Sequence, residues 1–200
     1  MVSLACRRGC KVCDGMRRYV VVLDNIVIDK ASVKSGQNSE QTVMMCRCVN
    51  VGLFVSGDLR RDVIVSFLRR DDGLVTMISF PGASLKRVSP DERSISFFLL
   101  KAIDTVMETE KGETRVLDNG IVVERTTLET LLERWGTDTL YITREEVDSW
   151  PDFRGGHLEG TFLYAPDMEL KNAMGLPSRT SPARFILELN VLSDRAAECQ

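Results

Sequence analysis

The chain has 200 residues, 44% of them hydrophobic, and a formal net charge of −3, which provides for one sizeable core in a single domain. That charge excludes a protein that coats nucleic acid through bulk basicity, although it leaves room for a local basic stripe. No apolar run approaches the roughly 18 residues of a membrane span, and the N-terminus lacks a signal-peptide core, so a soluble, cytoplasmic protein with no membrane partner is expected.

Residues 1–15 read as a short, basic, unstructured leader, because Met16-Arg17-Arg18 looks like a natural start running into the first strand; residues 16–200 then form the domain. Deleting residues 1–15 is expected to leave a cooperative thermal melt intact, and loss of that melt would make them part of the domain. Tyr19 to Leu23 and Ile26 to Ile28 are rich in β-branched residues and predict strands broken at Asp24-Asn25. Lys34 to Gln41 reads as a polar loop. Thr42 to Val55 is ambiguous, since its apolar residues cover more than one helical face. Asp62 to Leu68 and Leu74 to Phe80 predict two strands joined by a turn at Asp71-Asp72-Gly73.

In LKRVSPDERSIS (Leu85 to Ser96) the spacing Ser89-Pro90-Asp91-Glu92 is that of a capping box, with Ser89 as N-cap and Pro90 at the first helical position. Ile95, Phe98, Leu99, Ala102 and Val106 follow at helical spacing, which predicts a helix from about Pro90 to Met107. Glu108 to Thr114 is a charged linker and Ile121 to Glu124 a short strand. Thr127 to Trp135 is a helix stopped by Gly136. Leu140 to Thr143 and Thr161 to Ala165 are the last candidate strands, Asn172 to Pro182 a turn-rich loop, and Ala183 to Ala197 a C-terminal helix. Strands alternating with helices predict an α/β sheet covered on both faces.

Six cysteines without a secretion signal are expected to be reduced thiols. Cys6, Cys10 and Cys13 have the C-x3-C-x2-C spacing that resembles the cluster motif of radical-SAM enzymes, set against incidental cysteines in a leader. Anaerobic expression without broad visible absorbance would exclude a cluster. The single histidine, His157 in GGHLEG, excludes a multi-histidine metal site, and those glycines lack the strand-turn-helix context of a dinucleotide loop. No metal is expected.

Three segments, Met45 to Val65 (MCRCVNVGLFVSGDLRRDVIV), Ile78 to Ile103 (ISFPGASLKRVSPDERSISFFLLKAI) and Ser178 to Asp194 (SRTSPARFILELNVLSD), together resemble the archaeal tRNA pseudouridine(54) N1-methyltransferases, the TrmY type. RCV, DLRRDV and LKRVSPDER occur in the family's order and spacing. The resemblance implies a SPOUT-class α/β fold with a C-terminal trefoil knot, S-adenosylmethionine (SAM) as methyl donor, tRNA as substrate, and a homodimer with its sites near the subunit interface. It also implies that the Met45 segment begins as a helix.

The same resemblance implies roles for particular residues. Arg60, Arg61, Lys86, Arg87 and Arg93 lie where a folded RNA backbone would be held, with Asp58, Asp62, Asp91 and Glu92 able to orient the arginines instead. Asp62 is the family-supported carboxylate near the RNA, with pairing to Arg47 or Arg61 as its other reading. The cofactor set is Ile142, Ala165, Arg179, Thr180, Ser181 and Pro182; the turn reads Ala165-Pro166-Asp167 where the family has a glycine-containing turn. The alternative from another class is a catalytically silent SPOUT-like RNA-binding or dimeric scaffold protein. An apolar C-terminal face of Phe185, Ile186, Leu189 and Leu192 is a further sign of a homodimer.

Overall fold

The computed structural model describes residues 16–136, 139–151, 153, 158–179 and 181–198. In chain order the elements are β1 Arg17–Leu23, α1 Lys30–Ser35, α2 Glu40–Leu53, β2 Phe54–Val55, β3 Asp58–Leu59, β4 Val63–Asp71 and β5 Leu74–Pro81. They continue with α3 Glu92–Glu108, β6 Thr114–Val116, β7 Val122–Thr126, α4 Leu128–Trp135, β8 Leu140–Arg144, β9 Gly160–Tyr164, β10 Met174–Pro177 and α5 Pro182–Glu198. Among the described residues, eight strands form one sheet in the order β10-β8-β9-β1-β4-β5-β7-β6, and β2 pairs with β3 in a separate ribbon. From β10 to β4 neighbours are parallel; from β4 to β6 they are antiparallel.

Alternation along the strands divides the core. Tyr19, Val21, Val63, Val65, Phe67, Ile78 and Phe80 face α1, α2, α3 and α5, whereas Val20, Leu68, Val75, Met77, Ile142 and Leu163 face α4. The expected α/β sheet with helices on both faces is therefore present, with unequal cover. Gly52 sets how closely α2 sits on the sheet: a Cβ there would lie 2.4 Å from Val65 Cγ2. No described helix is long and apolar enough to cross a membrane.

The structure corrects several expectations. Ile26 and Ile28 are buried in the core but in irregular backbone, and the expected loop from Lys34 begins inside α1, which Asp29 caps and Gly36 closes at φ 73°. The helical reading of the Met45 segment holds, as α2. Helix α3 starts at Glu92, not Pro90, with Asp91 as N-cap: Ser94 N donates to Asp91 Oδ1 at 2.8 Å. Ser94 Oγ in turn accepts from Ser89 N at 3.0 Å, and these two bonds, both made by Ser94, stand in place of the Ser89–Glu92 box. The expected loop at Asn172 to Pro182 contains β10, which pairs with β8.

Phe185, Ile186 and Leu189 do not form an exposed dimer face. All three are fully buried against their own subunit. The apolar residues that α5 presents outward are Leu187, 47% exposed, and Val191, 38% exposed, one helical turn apart.

Candidate active site

The parallel strands place their carboxyl ends on one edge of the sheet and their amino ends on the other. At the carboxyl edge, β9 runs into a turn in which Met168 N donates to Ala165 O at 3.1 Å, with Pro166 at the position that favours its fixed φ. Ala165 N donates to Thr143 Oγ1 at 3.0 Å, and its methyl group is buried on the α4 side of the sheet. The alanine that stands in the place of glycine thus spends its Cβ in the core. Ile142 is also a core residue on that side, and it acts on the edge only by placing Thr143.

Three loops are tied together there. Arg144 donates to Met168 O at 3.4 Å and Leu170 O at 3.1 Å, and Ser178 N donates to Arg144 O at 3.3 Å. Tyr164 Oη donates to Arg179 O at 2.7 Å. The Arg179 guanidinium lies 2.8 Å from Glu188 in a charge contact and 5.2 Å from the centre of the Trp150 ring, so it braces the loop against α5. Ser181 caps α5 through a 3.3 Å bond from Arg184 N, and Pro182 opens the helix. Thr180 lies outside the described residues. Between β9 and β1 the chain departs in opposite directions, to β10 on one side and β4 on the other. Open α/β sheets bind ligands outside the carboxyl ends at such a reversal.

Asp62 lies on the opposite edge. Arg17 donates to its carboxylate from Nη2 at 2.6 Å and Nε at 3.1 Å, so its partner is Arg17 and not Arg47 or Arg61. The Asp62 side chain remains 49% exposed. Arg17 N also bonds Asp62 O, while Tyr164 stands beside Val21 in the register of β1. Asp62 and Ala165 are therefore separated by most of β1, about 17 Å at the rise of an extended strand.

The predicted cations divide into two groups. Arg60 forks onto Asp194 of α5 at 2.6 Å through both nitrogens, which also holds the Asp194 carboxyl below its ordinary range. Arg61 reaches Asp58 at 3.2 Å and Gly82 O at 3.1 Å but stays largely exposed. Lys86, Arg87 and Arg93 are exposed, with no carboxylate partner among the described residues. Cys46 and Cys48 are buried free thiols; burial pushes Cys46 up to about 12, which keeps it protonated. Among the described residues no cluster could hold a metal ion, and Cys6, Cys10, Cys13 and His157 lie outside them.

The family model described as "Putative SAM-dependent RNA methyltransferase" matches residues 16–163. The chain belongs to that family. Its curated relatives include proteins named tRNA (pseudouridine(54)-N(1))-methyltransferase. The protein from Methanocaldococcus jannaschii is 34% identical over 115 residues, 53% of this chain and 56% of that one. That from Haloferax volcanii is 33% identical over 103 residues, 52% and 50% respectively. A Methanococcus maripaludis protein is 48% identical over 62 residues, 30% and 31%. The chain thus spans about half or less of the length of these relatives. The family match includes Asp62 and all five predicted cations, and stops one residue short of Tyr164.

Reading the sequence missed two residues that organise the amino edge, Arg17 and Asn190. Asn190 Oδ1 accepts from Arg17 Nη1 at 3.0 Å and Tyr19 Oη at 2.8 Å. An arginine opening a largely buried strand was the available signal, because such a charge needs a partner. Phe97 was missed as well, although it falls off the inward stripe of α3 and is 46% exposed.

Proposed function

We propose that the chain is a SAM-dependent RNA methyltransferase acting on N1 of pseudouridine in tRNA, as a homodimer in the cytoplasm, with a SPOUT-type sheet and a C-terminal trefoil knot. The observation that carries this reading is the tying of the loops after β8, β9 and β10 to one another at the reversal in strand order. Strands β8, β9 and β10 lie out of chain order, which supports a threaded C-terminal region. The residues suit the cofactor: the Ala165 methyl takes no space at the edge, Asp167 and Glu169 are exposed carboxylates for hydroxyl or ammonium groups, and the start of α5 favours a carboxylate. When bound there, SAM supplies an electrophilic methyl group.

This chain's residues would then hold a nitrogen in line with that methyl group and accept the N1 proton, with positioning providing most of the rate. Asp62 is the proposed acceptor. Its distance from Ala165 within one subunit supports a dimer in which Asp62 of one copy serves the cofactor edge of the other. Lys86, Arg87 and Arg93, with the exposed Arg61, are proposed to hold phosphates, whereas Arg60 is a structural partner of Asp194.

A silent RNA-binding scaffold is the second reading, favoured by the Ala165 N–H being already taken by Thr143. Calorimetric titration with SAM separates the two: binding heat and methyl transfer to tRNA are expected, and tRNA binding without SAM binding would leave the scaffold. Replacing Lys86, Arg87 and Arg93 together by Gln is expected to flatten the log–log salt dependence of tRNA binding by about 0.7 to 0.9 for each phosphate no longer neutralised, with little change in melting. An unchanged slope would remove these residues from the interface.

A further inference from the structure

A cavity of about 550 Å³ lies between α3 and the turn from β6 to β7, lined by Arg87, Phe97, Lys101, Asp104, Asp118 and Asn119, among others. A second, of about 410 Å³, is lined by Lys34, Asp91, Arg93 and again Phe97. Phe97 therefore stands where the two cavities meet, and it is half exposed although an outward position on α3 asks for no aromatic ring. The Lys101 ammonium sits 4.7 Å from the centre of that ring. Four exposed cations, Lys34, Arg87, Arg93 and Lys101, thus gather around one exposed phenyl group in a chain whose net charge is −3.

The acids present have distinct positions. Asp91 is engaged as the cap of α3, while Asp104 and Asp118 are exposed at the rim of the larger cavity. Arg115, also in the lining, is paired with Glu108 and Glu113 and adds no free charge. An aromatic face, cations for phosphate and carboxylates able to accept from exocyclic amines are the set that reads an unstacked RNA base. An apolar peptide would find only Phe97 and Val116 exposed here, with Phe98 and Leu117 partly covered, among charged side chains.

We propose that this groove is a second RNA contact, separate from the cofactor edge, that takes one unstacked loop nucleotide with its base on Phe97 and its flanking phosphates on Lys101 or Arg87 and Arg93. The proposal rests on the RNA reading above. From β9 to β6 is five strand positions, about 24 Å, a span that a folded RNA bridges and a single nucleotide does not.

Fluorescence anisotropy with a labelled tRNA transcript tests it. Phe97→Ala is expected to weaken binding roughly five- to hundred-fold, the effect of removing one base–aromatic stack, and Phe97→Trp to stay within about two-fold of the parent. Lys101→Gln is expected to lower the salt slope by about 0.7 to 0.9. Thermal midpoints should not move, since Phe97 is outside the core. Equal affinity of the parent and Phe97→Ala would overturn the proposal, including the case in which the groove takes a peptide. Weakening by Phe97→Ala and Phe97→Trp alike, with lowered melting, would make the ring structural and overturn it too. A parent that binds no tRNA at all would overturn the proposed function first and this second RNA site with it.

Discussion

Replacing Asn190 by Leu is expected to lower the thermal midpoint by roughly 6 to 20 °C, a large stability effect for a single polar side chain. Asn190 is buried on α5 and its amide uses both ends. Its oxygen accepts from Arg17 and Tyr19, and its nitrogen donates to Val51 O at 2.9 Å and Gly52 O at 3.3 Å. Those carbonyls belong to the last turn of α2, which has no intrahelical donors to offer them. Leucine fills the volume but leaves a buried guanidinium short of a partner, a buried phenol without its acceptor, and two carbonyls bare. Burial already pushes the Tyr19 hydroxyl well above its ordinary range, so it stays a donor and has no route to relief by ionising. Leaving these groups unpaired costs about 3 to 5 kcal/mol, and a domain of this size loses about 2 to 4 °C for each of them. Asp194→Asn, which loosens only a partly exposed pair, should cost about 1 kcal/mol or less. A midpoint for Asn190→Leu no lower than that of Asp194→Asn would show that α5 is held by its apolar face alone.

How much of this could be read beforehand depends on which forces fix each element. Strands β1, β4 and β5 were legible because burial on two faces demands long β-branched or apolar runs, and α3 and α4 because their apolar stripes have helical period. Ile26 and Ile28 misled for the same reason: they are apolar because the core covers them, while the backbone is fixed by the Asp29 cap and the Gly36 closure of α1. Strand β10, Met174–Pro177, contains a glycine and a proline and has no strand signature. It exists because β8 offers it an edge, and Gly175 brings it close to Arg144 and Val147, where a Cβ would lie 3.1 Å from each.

At the site, the sequence marked the cations but not their partners. Arg60 was taken by an aspartate 134 residues away on α5, a pairing that no local spacing signals. Lys86, Arg87 and Arg93 were left open, and Arg87 is held with φ at 59°, uncommon for a side chain with a Cβ. The carboxyl edge was legible as a position, through Ala165 and Ser181-Pro182, but its bracing by Arg144, Tyr164 and Arg179 depends on the fold bringing three loops together.

The second large effect concerns activity. If Asp62 of one subunit serves the cofactor edge of the other, Asp62→Asn and Ser178→Trp should each be inactive alone, yet an equimolar mixture should regain about a quarter of the parent rate. Two-fold symmetry sets that fraction. Half of the reassorted dimers carry one variant of each kind, and each such dimer has one site with both changes and one site with neither. Asp62→Asn keeps an acceptor for Arg17 while removing the negative charge, and Ser178→Trp fills the edge without deleting a side-chain hydrogen bond seen in the structure, so both are expected to fold. Melting curves check that, and SAM titration should fail only for Ser178→Trp. Replacing Leu187 and Val191 by Asp should yield a monomer near 22.4 kDa in light scattering and abolish the rate, because these are the apolar side chains that α5 exposes. A mixture with no recovered activity, from subunits shown to exchange, would place Asp62 outside the chemistry. It would remain as the partner of Arg17, and the proton acceptor would have to come from the carboxyl edge itself, where Asp167 and Glu169 are the exposed carboxylates beside the turn.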